Sequence, residues 1–234
     1  MPGHASPTST VENYLKALYV HQQDQPDALV PLGRLAQTLE VTPGTVTTMV
    51  KGLSEAGYAQ YESRRGARLT PAGEKLALRV LRRHRLIELF LVEIVGYDWS
   101  EVHDDAEILE HAVSDKLLDR IDAMLGHPTA DPHGDPIPEP CGTIRRQDVQ
   151  PLALATPGRH EIAQVLDHSP RFLDFLRERG LVPGAAIELL DRDEVAGIVT
   201  LRVHSGEKIV VGLAAAGRIL VSTPGQTTDP ASQT

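Results

Sequence analysis

Six side chains on two stretches of this chain have the types and spacing to hold a metal ion. His103, Glu107, Glu110 and His111 stand at i, i+4, i+7 and i+8. On a helix turning about 100° per residue they fall within roughly a 100° arc of one face. Upstream, His84 and Glu88 stand at i and i+4. Imidazole with carboxylate suits Mn²⁺, Fe²⁺, Co²⁺, Ni²⁺ or Zn²⁺, and no thiolate set accompanies them. The single cysteine, Cys141, excludes a disulfide framework and a cysteine-based zinc finger. His/Glu pairs at this spacing also occur as ordinary partners on solvated helix faces; two neighbouring helices that both carry them favour the metal. A dinuclear hydrolase is the enzyme alternative. It needs an open coordination position and a general base, and the chain shows no His-Glu-x-x-His motif.

Two long helices must position these groups. Thr70-Pro71-Ala72-Gly73-Glu74 opens the first, with Thr70 as cap, and Gly96 stops it after Val95. The spacing predicts a second helix over about His103–Leu125, stopped by Gly126. Such a pair forms a dimer interface or a hinge. Before them the pattern predicts three helices and a hairpin. Val11, Tyr14, Leu15, Leu18 and Tyr19 give a first helix capped by Thr10. Pro31–Leu39 gives a second, and Pro43 to about Ala56 a third, capped by Thr42 and closed by Gly57. Tyr58–Glu62 and Ala67–Thr70 then pair around Ser63-Arg64-Arg65-Gly66. The order is that of a winged helix-turn-helix.

After the long helices, seven prolines from Pro128 to Pro157 forbid a long regular element, so this stretch reads as a linker. His160–Asp167, Ala186–Leu190, Gly197–His204, Lys208–Gly212 and Arg218–Ser222 read as short strands, with a helix over Pro170–Arg179. They predict a small β-barrel. The expected fold is therefore mainly α with a small β domain. Its parts are a DNA-binding domain over 1–73, a helical dimerisation and metal-binding domain over 74–142, a linker over 143–158, a β domain over 159–223 and a disordered tail over 224–234.

At 234 residues, 41% hydrophobic and 24% charged, the chain has the size and composition for two or three packed domains. No apolar run reaches membrane length and no secretory signal is visible, so a cytoplasmic protein with no membrane partner is expected. The net charge of −9 is uneven. Residues 1–73 carry six basic and six acidic side chains, 74–126 seven against twelve, and 127–234 ten against fourteen. The acidic excess lies outside the helix-turn-helix, where it suits cations more than phosphate.

The third helix begins Thr42-Pro43-Gly44-Thr45-Val46-Thr47-Thr48, with Lys51 further along. Small hydroxyl side chains at that end can enter a major groove, meeting phosphates and thymine methyls. Arg64, Arg65 and Arg68 on the wing suit phosphate or minor-groove contact. The neutral charge of this region leaves a protein-binding winged helix as the alternative. A regulator answering an organic ligand is another, although the chain has only nine aromatic residues to line an apolar pocket.

Several of these segments together resemble one family. They are Val11-Glu12-Asn13-Tyr14-Leu15, Thr45-Val46, Leu69-Thr70-Pro71-Ala72-Gly73, Arg83-His84-Arg85-Leu86-Ile87-Glu88 and Val102-His103-Asp104-Asp105-Ala106-Glu107-Ile108-Leu109-Glu110-His111, with Gly134-Asp135-Pro136-Ile137-Pro138 after them. In order and spacing they resemble the diphtheria-toxin-repressor family of metal-dependent transcription regulators, over about residues 8–222. Gly180-Leu181-Val182-Pro183-Gly184 resembles part of the family's C-terminal SH3-like domain. The resemblance implies a repressor of metal-uptake genes that binds a palindromic DNA operator as a homodimer, with two divalent-metal sites per subunit.

Carried over residue by residue, the family's switch site falls on Asn13, Glu107, Glu110 and His111. The iron-responsive branch has Met and Cys at the first two positions and the manganese-responsive branch Asp and Glu. Asn13 departs from both. Oxygen donors without sulfur imply Mn²⁺ first and Fe²⁺ second. The manganese branch also has Glu where Lys16 stands, so its paired-metal arrangement is not expected to be copied. The second site falls on His84, Glu88 and His103, completed from the SH3-like domain; Asp167 lies near the matching place and Pro170 at the other, with His168 as a neighbour. Iron-type members hold an anion with Ser and Asn where Asp131 and Asp135 stand here. Two carboxylates would repel an anion, which leaves Asp131 either as a direct ligand or as a linker turn residue.

Overall fold

The computed structural model describes residues 8–23, 25, 28–145 and 147–223. The expected tail over 224–234 and the first seven residues lie outside the described residues. Those described form two compact units. One comprises the described residues of 1–84, 107–118 and 138–144, the other those of 85–106, 119–137 and 145–234.

The first unit opens on α1 (Ser9–Gln22), whose cap is Thr8 rather than Thr10: its hydroxyl accepts from the Val11 N–H. Helix α2 spans Leu32–Thr38, with Pro31 as its N-cap instead of its first residue. Helix α3 spans Pro43–Glu55 and is capped by Thr42, whose hydroxyl accepts from the Thr45 N–H, with Pro43 in the first turn. Strands β1 (Ala59–Glu62) and β2 (Gly66–Leu69) form the antiparallel wing. Gly66 is required there: a Cβ would stand 2.3 Å from the Val30 carbonyl oxygen, where Val30 bridges to Ala67. Leu15, Leu18, Leu35, Val46, Val50 and Ala67 are fully buried in the shared core. The apolar stripes of three amphipathic helices thus converge on one face of the wing.

Helix α4 (Pro71–Phe90) continues as a π-helical turn over Leu91–Val95 and ends at Gly96, whose φ of 88° is left-handed. The single helix expected over His103–Leu125 is two: α5 (Val102–Leu109) and α6 (Asp115–Met124). Ser114 makes the break, its hydroxyl accepting from the Leu117 N–H and its carbonyl from Leu117 and Leu118. Glu110 and His111 thereby sit on a turn.

The second unit is built on a six-stranded antiparallel sheet in the order β3-β8-β4-β5-β6-β7. Its strands are β3 (Gln150–Pro151), β4 (Gly158–Val165), β5 (Ala186–Asp193), β6 (Ile198–Val203), β7 (Lys208–Gly212) and β8 (Ile219–Ser222). Helices α7 (Pro170–Arg177) and α8 (Leu213–Ala216) close it over a core of Leu152, Ile162, Leu173, Leu176, Leu189 and Leu201. Shifts in register between Ile162 and Gln164, and between Leu189 and Asp191, bend the sheet. The proline-rich stretch expected as linker is ordered around Asp131–Ile137: Ala130 bridges to Pro136, and Asp131, His133 and Ile137 are buried. The prolines prevent helix but leave N–H groups enough for a fixed loop.

Candidate metal centres and nucleic-acid interface

The first unit brings Asn13, Glu107, Glu110 and His111 together. Asn13 Oδ1 lies 2.7 Å from His111 Nε2, and Glu110 Oε1 lies 3.4 Å from the same nitrogen. Glu12, a residue the spacing does not single out, takes the other side of the ring at 2.7 Å from Nδ1. A carboxylate there fixes the orientation of the ring. Glu12 is itself reached by Arg83, which donates to Asp115 at 2.7 Å. That hydrogen bond is the main cause holding the Asp115 carboxyl below the usual carboxylate range. His84, placed in the other site by the sequence reading, hydrogen-bonds Glu110 Oε2 through Nδ1 at 2.7 Å.

Lys16 also enters this cluster. Its ammonium donates to Glu107 Oε1 at 2.7 Å and to both oxygens of Glu110, at 2.7 and 2.9 Å. The Glu110 side chain is fully buried and that of Lys16 only 12% exposed. Burying a carboxylate without a cation would be costly, and in this structure Lys16 meets that need.

The second unit gathers Glu88, Asp131 and His133, with ligand atoms all within 4.8 Å of one another. His133 Nδ1 stands 4.0 Å from Glu88 Oε2 and 4.0 Å from Asp131 Oδ1. It is buried without a hydrogen-bond partner. Its Nε2 lies 2.9 Å from the Trp99 carbonyl oxygen and so carries the proton, leaving the Nδ1 lone pair aimed between two carboxylates. Burial, then the charge of His168, push the His133 pKa down and favour that neutral form. The donor set fits a hard or borderline ion.

His103 Nδ1 lies 3.4 Å from the other oxygen of Glu88. His168 stacks on His133 with ring centroids 4.2 Å apart and pairs with Asp135 at 3.3 Å. Asp131 is pushed well above the usual carboxylate range, by burial first and then by the nearby Asp135 and Glu88 carboxylates. Burial acts the same way on Asp135, but the His168 hydrogen bond and the Arg85 charge outweigh it and hold the carboxyl low. Asp131 also serves as a turn residue: its Oδ1 accepts from the His133 and Asp135 N–H groups at 2.8 and 3.0 Å. Gly134 lets this loop approach β4, since a Cβ would stand 2.0 Å from the Ala163 carbonyl oxygen.

Asp167 is not drawn into this group. It accepts from Arg218 at 2.6 Å and from the Ser169 N–H at 3.0 Å. His133 escapes the helix-based reading because it lies in a proline-rich loop; the Asp-Pro-His spacing of Asp131 and His133 is the one local signal for it. A cleft of about 590 Å³ beside His103 and His168 carries Asp98, Glu101, Asp104 and Asp174.

The expected nucleic-acid interface is accessible. Thr42, Pro43, Gly44, Thr45 and Thr48 are exposed at the start of α3, as is Lys51, while Thr47 is half-buried. Thr47 and Thr48 turn their hydroxyls back to the Pro43 and Gly44 carbonyls. Arg64 and Arg65 are exposed at the wing tip, Arg65 paired with Glu62, and Arg68 donates to Gln60 at 2.7 Å. Among the described residues no helix is long and apolar enough to cross a membrane.

Comparison with known proteins agrees with this arrangement. Residues 7–67 match the family described as iron dependent repressor, N-terminal DNA binding domain. Residues 70–139 match its metal binding and dimerisation domain, and residues 150–223 the FeoA domain. The diphtheria toxin repressor of Corynebacterium diphtheriae is 30% identical over 213 residues, covering 86% of this chain and 91% of that protein. The iron-dependent repressor IdeR of Mycobacterium leprae is 28% identical over 216 residues, covering 86% of this chain and 92% of that protein. Among solved structures, a manganese-dependent transcriptional repressor in complex with manganese superposes with a TM-score of 0.82 at 36% identity, covering 91% of this chain and 99% of its own. The crystal structure of ScaR with bound Zn²⁺ gives 0.72 at 33% identity, covering 93% of this chain and 100% of its own. With a helix-turn-helix, clustered metal donors and a FeoA-type sheet in family order, this chain belongs to the diphtheria-toxin-repressor family of metal-dependent transcriptional regulators.

Proposed function

We propose that this protein is a divalent-metal-dependent repressor that binds a palindromic DNA operator as a homodimer and controls metal uptake. One observation carries the reading: Asn13, on the first helix of the DNA-binding domain, meets His111 of the family's metal-binding domain at 2.7 Å, and Glu110 lies 3.4 Å from the same His111 nitrogen. Asn13, Glu107, Glu110 and His111 are the residues that would hold an ion there, linking the two segments. The chain's own residues do the rest. Glu107 and Glu110 provide negative charge, Glu12 orients the His111 ring, and Asn13 ties α1 to them. Fixing α1 fixes α3 and the wing, and in a dimer the spacing of two recognition helices decides the fit to two half-sites. Metal and DNA then strengthen each other's binding by linkage.

The second centre is Glu88, Asp131 and His133, with His103 alongside, and it acts as the structural site. The switch donors comprise three oxygens and one nitrogen, so Mn²⁺ is the favoured activator and Fe²⁺ the second. Thr42, Pro43, Gly44, Thr45, Thr47, Thr48 and Lys51 enter the major groove, and Arg64, Arg65 and Arg68 meet phosphates. The test is binding to a palindromic duplex across a metal series with bound metal counted. Binding that ignores metal, or one ion per subunit where two are expected, contradicts the reading.

A further inference from the structure

The cluster proposed as the switch contains a cation of its own. Lys16 lies one turn beyond Asn13 on α1, and its ammonium makes three short contacts with Glu107 and Glu110. Those carboxylates are the only acidic members of the proposed switch set. With His84 on Glu110 Oε2, both oxygens of that buried side chain are engaged before any ion arrives.

We propose that Lys16 is a tethered competitor that sets the metal concentration at which the switch closes. The inference rests on Glu107 and Glu110 being switch ligands. Charge-assisted hydrogen bonds of this length are among the stronger polar contacts. An incoming divalent ion must expel the ammonium toward water or sit beside it on the same carboxylates, with like charges a few ångströms apart. Either route subtracts from its affinity. Because Lys16 is part of α1, its local concentration is fixed by the fold and does not vary with the cell's ionic composition. Lys16 also joins α1 to the Glu107–Glu110 segment, so metal uptake exchanges one bridge for another between the same elements.

The test is a Mn²⁺ titration of the full chain, with free Mn²⁺ read by electron paramagnetic resonance and thermal unfolding followed with and without the ion. Glu107→Ala identifies the switch phase as the one it removes. Lys16→Met, and Lys16→Gln as a second variant, are expected to tighten that phase by about tenfold or more. They also lower the metal-free unfolding temperature, and Mn²⁺ restores it. The other phase stays in place, and Lys16→Arg, which keeps the charge, stays near wild type. A switch phase that is unchanged or weaker in Lys16→Met and Lys16→Gln overturns the proposal while leaving the site assignment intact. If Glu107→Ala removes no phase, the site assignment falls and the proposal with it.

Discussion

The cluster around Glu110 and the cluster around Glu88 both hold carboxylates and imidazoles away from water, but they balance charge differently. Glu110 is fully buried against an ammonium and an imidazole. In the other cluster Asp131 is raised by burial and by neighbouring carboxylates, and His133 Nδ1 has no hydrogen-bond partner. Arg85 helps from one side, its Nε 3.6 Å from Asp131. The first cluster therefore carries its own counter-charge in Lys16 and suits a reversible switch. The second is short of a cation and suits standing occupancy. A site that has to respond to metal is best built so that the metal-free state is also satisfied.

The largest effect expected from that contrast is at the second centre. His133→Ala removes the ring whose lone pair faces Glu88 and Asp131, and should cost that centre at least about 100-fold in Mn²⁺ affinity. Metal counting after dialysis would show one ion per subunit retained; two retained ions would remove His133 from the site. Gly134→Ala tests whether the loop geometry matters as much as the ligands. Its Cβ would collide with the Ala163 carbonyl, and a loss of about 2–4 kcal/mol in stability is expected from strained backbone and overlap. Unfolding in urea measures it, and an unchanged midpoint would mean that the loop yields freely.

Much of the first cluster is legible in the sequence, because Glu107, Glu110 and His111 fall at helical spacing within five residues and Asn13 stands in a recognisable segment. The Lys16 contacts are not legible: they join residues 91 and 94 positions apart, and no local pattern encodes such a pairing. The second cluster is legible at Glu88 and His103, which lie on helices, and at Asp131 through the family resemblance. His133 sits in a loop whose prolines mark it as irregular but carry no sign that it is buried. The fold shows the same division. Periodicity finds α1, α3 and α4, whereas the break between α5 and α6 turns on the single cap at Ser114. Ser114-Asp115 carries that signal, overridden in a purely periodic reading by the apolar stripe on either side.

A smaller effect should separate the clusters by metal preference. Asn13→Met exchanges an amide oxygen for a thioether at the switch alone, and should shift the ratio of Fe²⁺ to Mn²⁺ activation by about tenfold toward iron. Anaerobic DNA binding at matched occupancy measures it, and a wild type that already answers Fe²⁺ far better than Mn²⁺ would refute the donor-hardness argument. The smallest change lies outside both clusters. The double variant Arg64→Ala, Arg65→Ala should weaken binding about equally across sequences and reduce the salt slope by up to roughly 2. Altered base preference at an unchanged slope would place these arginines in base readout instead.

The most direct test of the switch is Mn²⁺-dependent binding to a palindromic duplex, comparing wild type with Glu107→Ala. The wild type should gain about 10- to 100-fold in DNA affinity on adding Mn²⁺. Glu107→Ala should gain almost none, while remaining a folded dimer and still holding the ion at Glu88, Asp131 and His133. A Glu107→Ala protein that responds to Mn²⁺ as the wild type does would contradict the switch assignment.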